Sequence, residues 1–407
     1  MLSPLTLPLM DPAKDHPDGR REDRRRFLKM LSAGSAAALL PGCQDKPSPA
    51  SPDEAPTLFF KDTAPFVRHG NTNLETRLED LDGFLTPVDH FFVRNNASSI
   101  ALDAAGYRLQ VEGEAVETPL SLTYKALVEM SSRTVFSYVE CGGNQRGFFG
   151  TLMGQPAQGT QWGRGGVGMA EWTGVPLAEV LTRAGVRESA VAVQLIGLDT
   201  EAPEGGFRRP IPIAKAMDPD TILAYRMNGA LLPRDHGFPI RAIVPGWVGS
   251  NSIKWLGRIE VAARQVWSRN NTTSYVLLGD AYAPEGEAGG QIATLQSIKS
   301  ALTLPWPAAL PQGRRMIRGY AHSPHAPVER VAWSADGGET WQEARVLDPL
   351  IRYAWARFEF EWTATPGQHT LTTRATDQAG NTQPDEIPFN EKGYLFNRPL
   401  PHPVTVT

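Results

Sequence analysis

Apolar residues recur with different periods in the two parts of this chain. From Leu58 to about Glu285, helix and strand patterns alternate. The run from Thr134 to Val139 reads as a short buried strand, and so does the nearly continuous apolar segment from Ala190 to Leu198. Leu177, Val180, Leu181 and Ala184 fall at i, i+3, i+4 and i+7, which predicts an amphipathic helix. Thr173-Gly174-Val175-Pro176 opens it, with proline in the first turn, and Gly185 ends it. Ile222 to Met227 reads as a strand leading into Asn228-Gly229, a tight-turn pair, then Ala230-Leu231-Leu232. Arg241 to Val244 is another short strand.

From about Gly286 the pattern becomes all-β. Val331 and Trp333 alternate with polar residues, Asp336-Gly337-Gly338 turns the chain, and Trp341, Ala344 and Val346 continue beyond it. Phe358, Phe360 and Trp362 share one strand face, and Leu371, Thr373 and Ala375 share another. Short alternating strands at this spacing predict an immunoglobulin-like sandwich. The expected fold class is therefore α+β over 59–285, followed by the sandwich over 286–407.

The first residues read as addressing rather than fold. Asp23-Arg24-Arg25-Arg26-Phe27-Leu28-Lys29 resembles a twin-arginine export motif, and a weakly apolar stretch from Met30 to Leu40 follows. Leu40-Pro41-Gly42-Cys43 resembles a lipobox, which makes Cys43 a possible lipid anchor. Residues 1–43 are thus expected to be an export signal and 44–58 a proline-rich linker. The protein is expected in the periplasm, or on the extracytoplasmic face of the membrane. Twin-arginine export carries folded proteins, commonly with a cofactor already inserted.

Composition narrows the partners. The 407 residues carry 40 basic and 44 acidic side chains, a formal charge of -4, which argues against nucleic acid. Nothing after residue 60 is apolar for the 18 or more residues that a membrane span needs.

Cys141 is the most informative residue. It follows the Thr134 to Val139 run, within Glu140-Cys141-Gly142-Gly143-Asn144-Gln145-Arg146. The only other cysteine is Cys43, so the mature domains hold neither a disulfide framework nor a Cys-rich zinc site. Taken alone, Cys141 reads equally as a metal ligand or nucleophile and as a buried core thiol. The glycines permit close approach, and Arg146 offers a field that favours thiolate.

Several segments together resemble the sulfite oxidase family. They are Phe91-Phe92-Val93-Arg94-Asn95-Asn96, the Cys141 to Arg146 turn, Leu232-Pro233-Arg234-Asp235-His236-Gly237-Phe238-Pro239-Ile240-Arg241, Pro245-Gly246-Trp247-Val248-Gly249, Ser252-Ile253-Lys254-Trp255-Leu256 and Trp333 to Trp341. They occur in family order and span the chain from about residue 60 to its end. The resemblance implies a molybdopterin-binding catalytic domain over 59–285 and a dimerisation domain over 286–407, hence a homodimer.

It also implies a molybdenum-molybdopterin cofactor with Cys141 as the protein's metal ligand, in keeping with the softness of thiolate. His236, Arg241, Ser252 and Lys254 would line the pterin pocket, with Asp199 a further candidate. Asn96 stands where many family members have histidine. Arg94 and Arg146 match the anion-binding arginines, Trp162 the pocket tryptophan, and Tyr275 the active-site tyrosine. Lys392 occupies a position where sulfite oxidases carry arginine, which puts bidentate oxyanion recognition there in question.

The activity so implied is oxidation of a small sulfur oxyanion, most simply sulfite to sulfate. The chain has no haem-attachment Cys-x-x-Cys-His, so electrons would leave to a separate cytochrome c. A sulfane dehydrogenase subunit of a thiosulfate-oxidising system is a second reading. A methionine sulfoxide reductase is a third, disfavoured because those enzymes lack the sandwich. A tethered, non-catalytic binding protein is the alternative from another class. His322 and His325, flanking Ser323-Pro324, read as a turn rather than a zinc site. Gly163 to Gly168 reads as a loop beside Trp162 that only superficially resembles a phosphate cradle.

Overall fold

Strand Arg133–Glu140 is built from the apolar run and pairs antiparallel along its whole length with Val167–Pro176. Ile222–Met227 adds to the other edge of Val167–Pro176, and it pairs in turn with Ala230–Leu231 and Arg241–Ile243. The hairpin at Asn228-Gly229 has both residues at positive φ, the conformation a two-residue turn of this kind demands. The structure is a computed structural model that describes residues 58–407; the export-signal, lipobox and linker readings, Cys43 included, lie outside the described residues.

A second five-stranded sheet runs in the order Leu120–Thr123, Arg108–Glu112, Leu256–Ala262, Ala192–Gly197, Arg208–Pro212. One hydrophobic core joins the two sheets. Leu109, Val193, Leu195 and Ile259 come from the second sheet, and Val175, Leu223 and Ala242 from the first. The helix Leu177–Arg183 buries Leu177, Val180 and Leu181 in the same core and stops at Gly185 with φ +66°. One local expectation needs correction. Thr173 to Pro176 end the strand rather than open the helix, because Thr173, Gly174, Val175 and Pro176 all keep register with Ile222–Met227.

The C-terminal part is an eight-stranded array whose path begins Lys299–Leu302, Gly313–His322, Ala356–Ala364. Its interior holds Val331, Phe358, Trp362, Leu371 and Ala375, the residues the period-two pattern marks as inward. Trp333 stacks on Phe360 with ring centroids 4.2 Å apart. The β-sandwich predicted from alternation is the observed architecture, behind a mixed α and β part. No helix among the described residues is long and apolar enough to cross a membrane.

Candidate active site

Cys141 is the first residue beyond strand Arg133–Glu140 and is buried. Its N–H donates to Gly166 O at 2.8 Å, and its carbonyl accepts from Asn144 N at 2.8 Å. The strand therefore delivers the thiol into a tight turn at a fixed place. Gln145 in that turn has φ +71°, unusual for a residue with a Cβ. Two cavities meet at Cys141.

The first cavity, of about 730 Å³, brings together Cys141, Asn96, Asp199, His236, Arg241, Ser252 and Lys254. Arg241, on Arg241–Ile243, donates through Nη1 to His236 O and through Nη2 to Ser252 O, while its buried Nε has no hydrogen-bond partner. Burial lowers its pKa to about 9. Lys254 donates to Asn95 Oδ1 and to Asp235 O and lies over the Trp255 ring; burial first, then Arg241, pushes its pKa well below the ordinary range. His236 is held neutral by burial, with Lys61, Lys254 and Arg241 adding to the effect. Asp199 accepts from Phe207 N at 3.0 Å, and burial raises its pKa. The Ser252 hydroxyl accepts from Val244 N, and Asn96 Oδ1 accepts from Arg94 Nη2 at 2.9 Å.

The second cavity, of about 880 Å³, opens outward from Cys141. Arg94, Arg146, Arg269 and Lys392 line it, with no carboxylate. Burial opposes the charge of Arg94, yet the facing Tyr275, Cys141 and Tyr394 hold its pKa above the ordinary value. Arg146 is threaded through small residues. A Cβ on Gly143 would lie 2.5 Å from its Nη2, and one on Gly393 would lie 2.6 Å from its Cγ. Its Nε donates to Lys392 O at 2.7 Å and its Nη1 to Thr160 O at 2.9 Å. The guanidinium lies 4.9 Å from the Tyr394 ring centre. Trp162 is fully buried and meets Phe92 edge to face. Tyr275 follows the turn Asn270–Ser274 and lines both cavities.

All the residues singled out from sequence thus converge on Cys141, with one qualification. The Lys392 ammonium is bound to Thr273 O, and burial and the neighbouring Arg269 lower its pKa. It is half-buried at the cavity mouth rather than packed beside the thiol.

Five residues escaped sequence reasoning. Lys61 donates to Val88 O, Phe91 O and His236 Nε2 at 2.7, 2.9 and 2.8 Å, so it braces His236 from below. Arg209 lies over the Tyr275 ring at 5.2 Å and donates only to carbonyls; burial lowers its pKa to about 10. Tyr394 stacks on Tyr275. Arg269 adds an exposed cation at the mouth. Glu75 occupies the supposed phosphate cradle, accepting from Gly163 N and Gly165 N, each at 2.9 Å. That carboxylate takes the amides a phosphate would need, which supports reading the segment as a plain loop.

The chemistry of the first cavity fits a molybdopterin. A thiol stands at its edge, and the buried cations Arg241 and Lys254 donate only to uncharged oxygens and form no ion pair among the described residues. The orphaned Arg241 Nε and the depressed pKa values of both cations mark positive charge held away from water, which an anionic phosphate would relieve. Among the described residues no group of three or more His, Cys, Asp or Glu side chains could hold a metal ion by itself.

Comparisons with known proteins agree with that chemistry. Residues 96–270 match the oxidoreductase molybdopterin binding domain family, and residues 292–400 match the Mo-co oxidoreductase dimerisation domain family. The chain is 35% identical over 387 residues to sulfite oxidase of Gallus gallus, covering 90% of this chain and 81% of the relative. It is 34% identical to mitochondrial sulfite oxidase of Mus musculus, where the match covers 85% of this chain but only 65% of the longer relative. The crystal structure of the sulfane dehydrogenase SoxCD from Paracoccus pantotrophus superposes with a TM-score of 0.73 at 29% identity, covering 82% of this chain and 86% of that one. The chain belongs to the sulfite oxidase family of molybdopterin oxidoreductases.

Proposed function

We propose that this protein is an exported molybdenum-dependent enzyme that oxidises an inorganic sulfur oxyanion, sulfite to sulfate in the simplest case, and passes the electrons to a cytochrome c. One observation carries the reading: a buried thiol at the base of an open cavity lined by four cations and no carboxylate. Such a cavity favours a small anion strongly over a neutral or cationic molecule.

Cys141 would hold the metal. His236, Arg241, Ser252, Lys254, Asn96 and Asp199 would hold the pterin. The bound cofactor supplies a two-electron redox centre. In the net reaction sulfite gains one oxygen from water, and two protons and two electrons leave. Arg94 and the free Nη2 of Arg146 bind and orient the anion, with Lys392 adding positive charge at the mouth. The Tyr275 hydroxyl, which has no hydrogen-bond partner among the described residues, is free to donate a hydrogen bond to a substrate oxygen or to relay a proton beside it. Trp162 walls the site and excludes water. The dimerisation-domain match supports a homodimer, and the twin-arginine motif supports a periplasmic location, with Cys43 as a possible lipid anchor.

Sulfite-dependent reduction of ferricyanide and of cytochrome c by molybdenum-loaded protein tests the reading, beside a Cys141→Ser control. Turnover that the control lacks is expected. Oxidation of a carrier-bound sulfane is a second reading, supported by the likeness to SoxCD. No turnover of free sulfite by protein with confirmed molybdenum, together with a co-purifying cytochrome, would favour it.

A further inference from the structure

Glu140 and Cys141 share a peptide unit, and that unit is gripped from outside its own strand. Its N–H donates to Gly166 O at 2.8 Å. Its carbonyl accepts from Gln296 Nε2 at 2.7 Å. Gly249 closes over the same carbonyl, since a Cβ there would lie 2.6 Å from the oxygen.

The Glu140 side chain is held as firmly. It is 0% exposed and accepts from Asn144 Nδ2 at 2.9 Å and from Lys299 Nζ at 2.7 Å. Lys299, itself 2% exposed, lies on the strand that opens the sandwich array. His322, on Gly313–His322, stands 3.6 Å from the other carboxylate oxygen. Burial lowers its pKa to about 4, so it is neutral at pH 7 and Lys299 alone offsets the Glu140 charge. An ion pair this deeply buried is a poor source of net stability, because desolvation of both partners offsets their attraction. It is well suited to fixing position. The surroundings give little redundancy: Glu140 Oε2, Gln145 Oε1 and His322 Nδ1 have no hydrogen-bond partner, and a small pocket adjoins Lys299 and His322.

We infer that Gln296 and Lys299 are positioning residues for Cys141: the segment entering the sandwich holds the Glu140–Cys141 peptide and the Glu140 carboxylate so that the thiol faces the cofactor cavity. The inference rests on the reading of Cys141 as metal ligand. It gives the C-terminal part a role at the metal centre in addition to any at a subunit interface.

The test uses full-length protein carrying Cys43→Ser, so that Cys141 is its only thiol. The rate at which Ellman's reagent modifies the cofactor-free protein reports how Cys141 is held. Gln296→Leu and Lys299→Met should each raise that rate about tenfold or more by opening the turn locally. Adding Glu140→Gln to Lys299→Met removes the unpaired buried charge and should bring the rate back toward the parent's. Val331→Ala, in the sandwich core, lowers stability without touching the clamp and should leave the rate unchanged. In molybdenum-loaded protein the two single variants should shift the thiolate-to-metal absorption, and Val331→Ala should not. Labelling rates for Gln296→Leu and Lys299→Met no higher than for Val331→Ala would overturn the inference. Should the parent take up no molybdenum, the functional reading falls, while the labelling rates still decide the clamp.

Discussion

The rings of Tyr275 and Tyr394 stack 5.6 Å apart, with their planes within 25° of parallel. Arg209 lies over the Tyr275 ring and Arg146 over the Tyr394 ring. The two hydroxyls differ. That of Tyr394 donates to Ser274 O at 2.9 Å, whereas that of Tyr275 bonds no group among the described residues. Tyr275→Phe should therefore leave folding intact and lower kcat about 100-fold, the usual scale for a lost proton-transfer or hydrogen-bonding group. Tyr394→Phe should cost about 1 kcal/mol of stability and much less of kcat. Steady-state kinetics and urea unfolding of both variants check this; equal effects on kcat would contradict it.

Gly143 sets the place of Arg146. A methyl group there would lie 2.5 Å from Nη2, the nitrogen left free for a substrate anion. Gly143→Ala should displace the guanidinium and lower kcat/KM for sulfite about tenfold or more, the worth of one charge-assisted hydrogen bond. Retained molybdenum content would separate this effect from loss of the cofactor. Unchanged kcat/KM would show that Nη2 does not meet the substrate.

Arg269 is exposed beside Lys392 and forms no ion pair among the described residues. Its charge should act on substrate capture rather than on the chemical step. Arg269→Gln is expected to lower kcat/KM several-fold at low ionic strength, and the difference should shrink near 0.5 M salt. A salt-independent loss would point to a structural role instead.

Buried neutral histidines should make the fold acid-labile. Burial lowers the pKa values of His322 and His402 from 6.5 to about 4. Between these values the unfolded chain binds protons that the folded chain does not. Their contribution is therefore complete above pH 6.5 and is lost as pH falls toward 4. For His322 it amounts to roughly 3 kcal/mol. Urea midpoints should fall between pH 7 and pH 4.5, and less steeply in His402→Asn than in the parent. Equal slopes in the two proteins would contradict the assignment.

Much of the site was legible because its parts lie in contiguous segments. Cys141 and Arg146 share one turn, and His236 and Arg241 flank one short loop, so local spacing brings each pair together. The sandwich was equally legible, since strict alternation at Phe358, Phe360 and Trp362 leaves one face to bury. The contacts that sequence missed join residues far apart in the chain. Lys61 meets His236 across 175 positions, Glu140 meets Lys299 across 159, and Arg209 meets Ala293 across 84. No periodicity marks such partners, because each is a polar residue whose burial is decided by tertiary packing. Lys392 shows the same limit from the other side. Its position in the chain was evident, but its bond to Thr273 O depends on how the turn Asn270–Ser274 lies against it.

The central claim is that Cys141 binds molybdenum through its thiolate. X-ray absorption at the molybdenum edge, on purified protein and on Cys141→Ser, tests it most directly. The account predicts one sulfur scatterer fewer in the variant, with loss of sulfite-dependent turnover. The same sulfur shell in both proteins would contradict it.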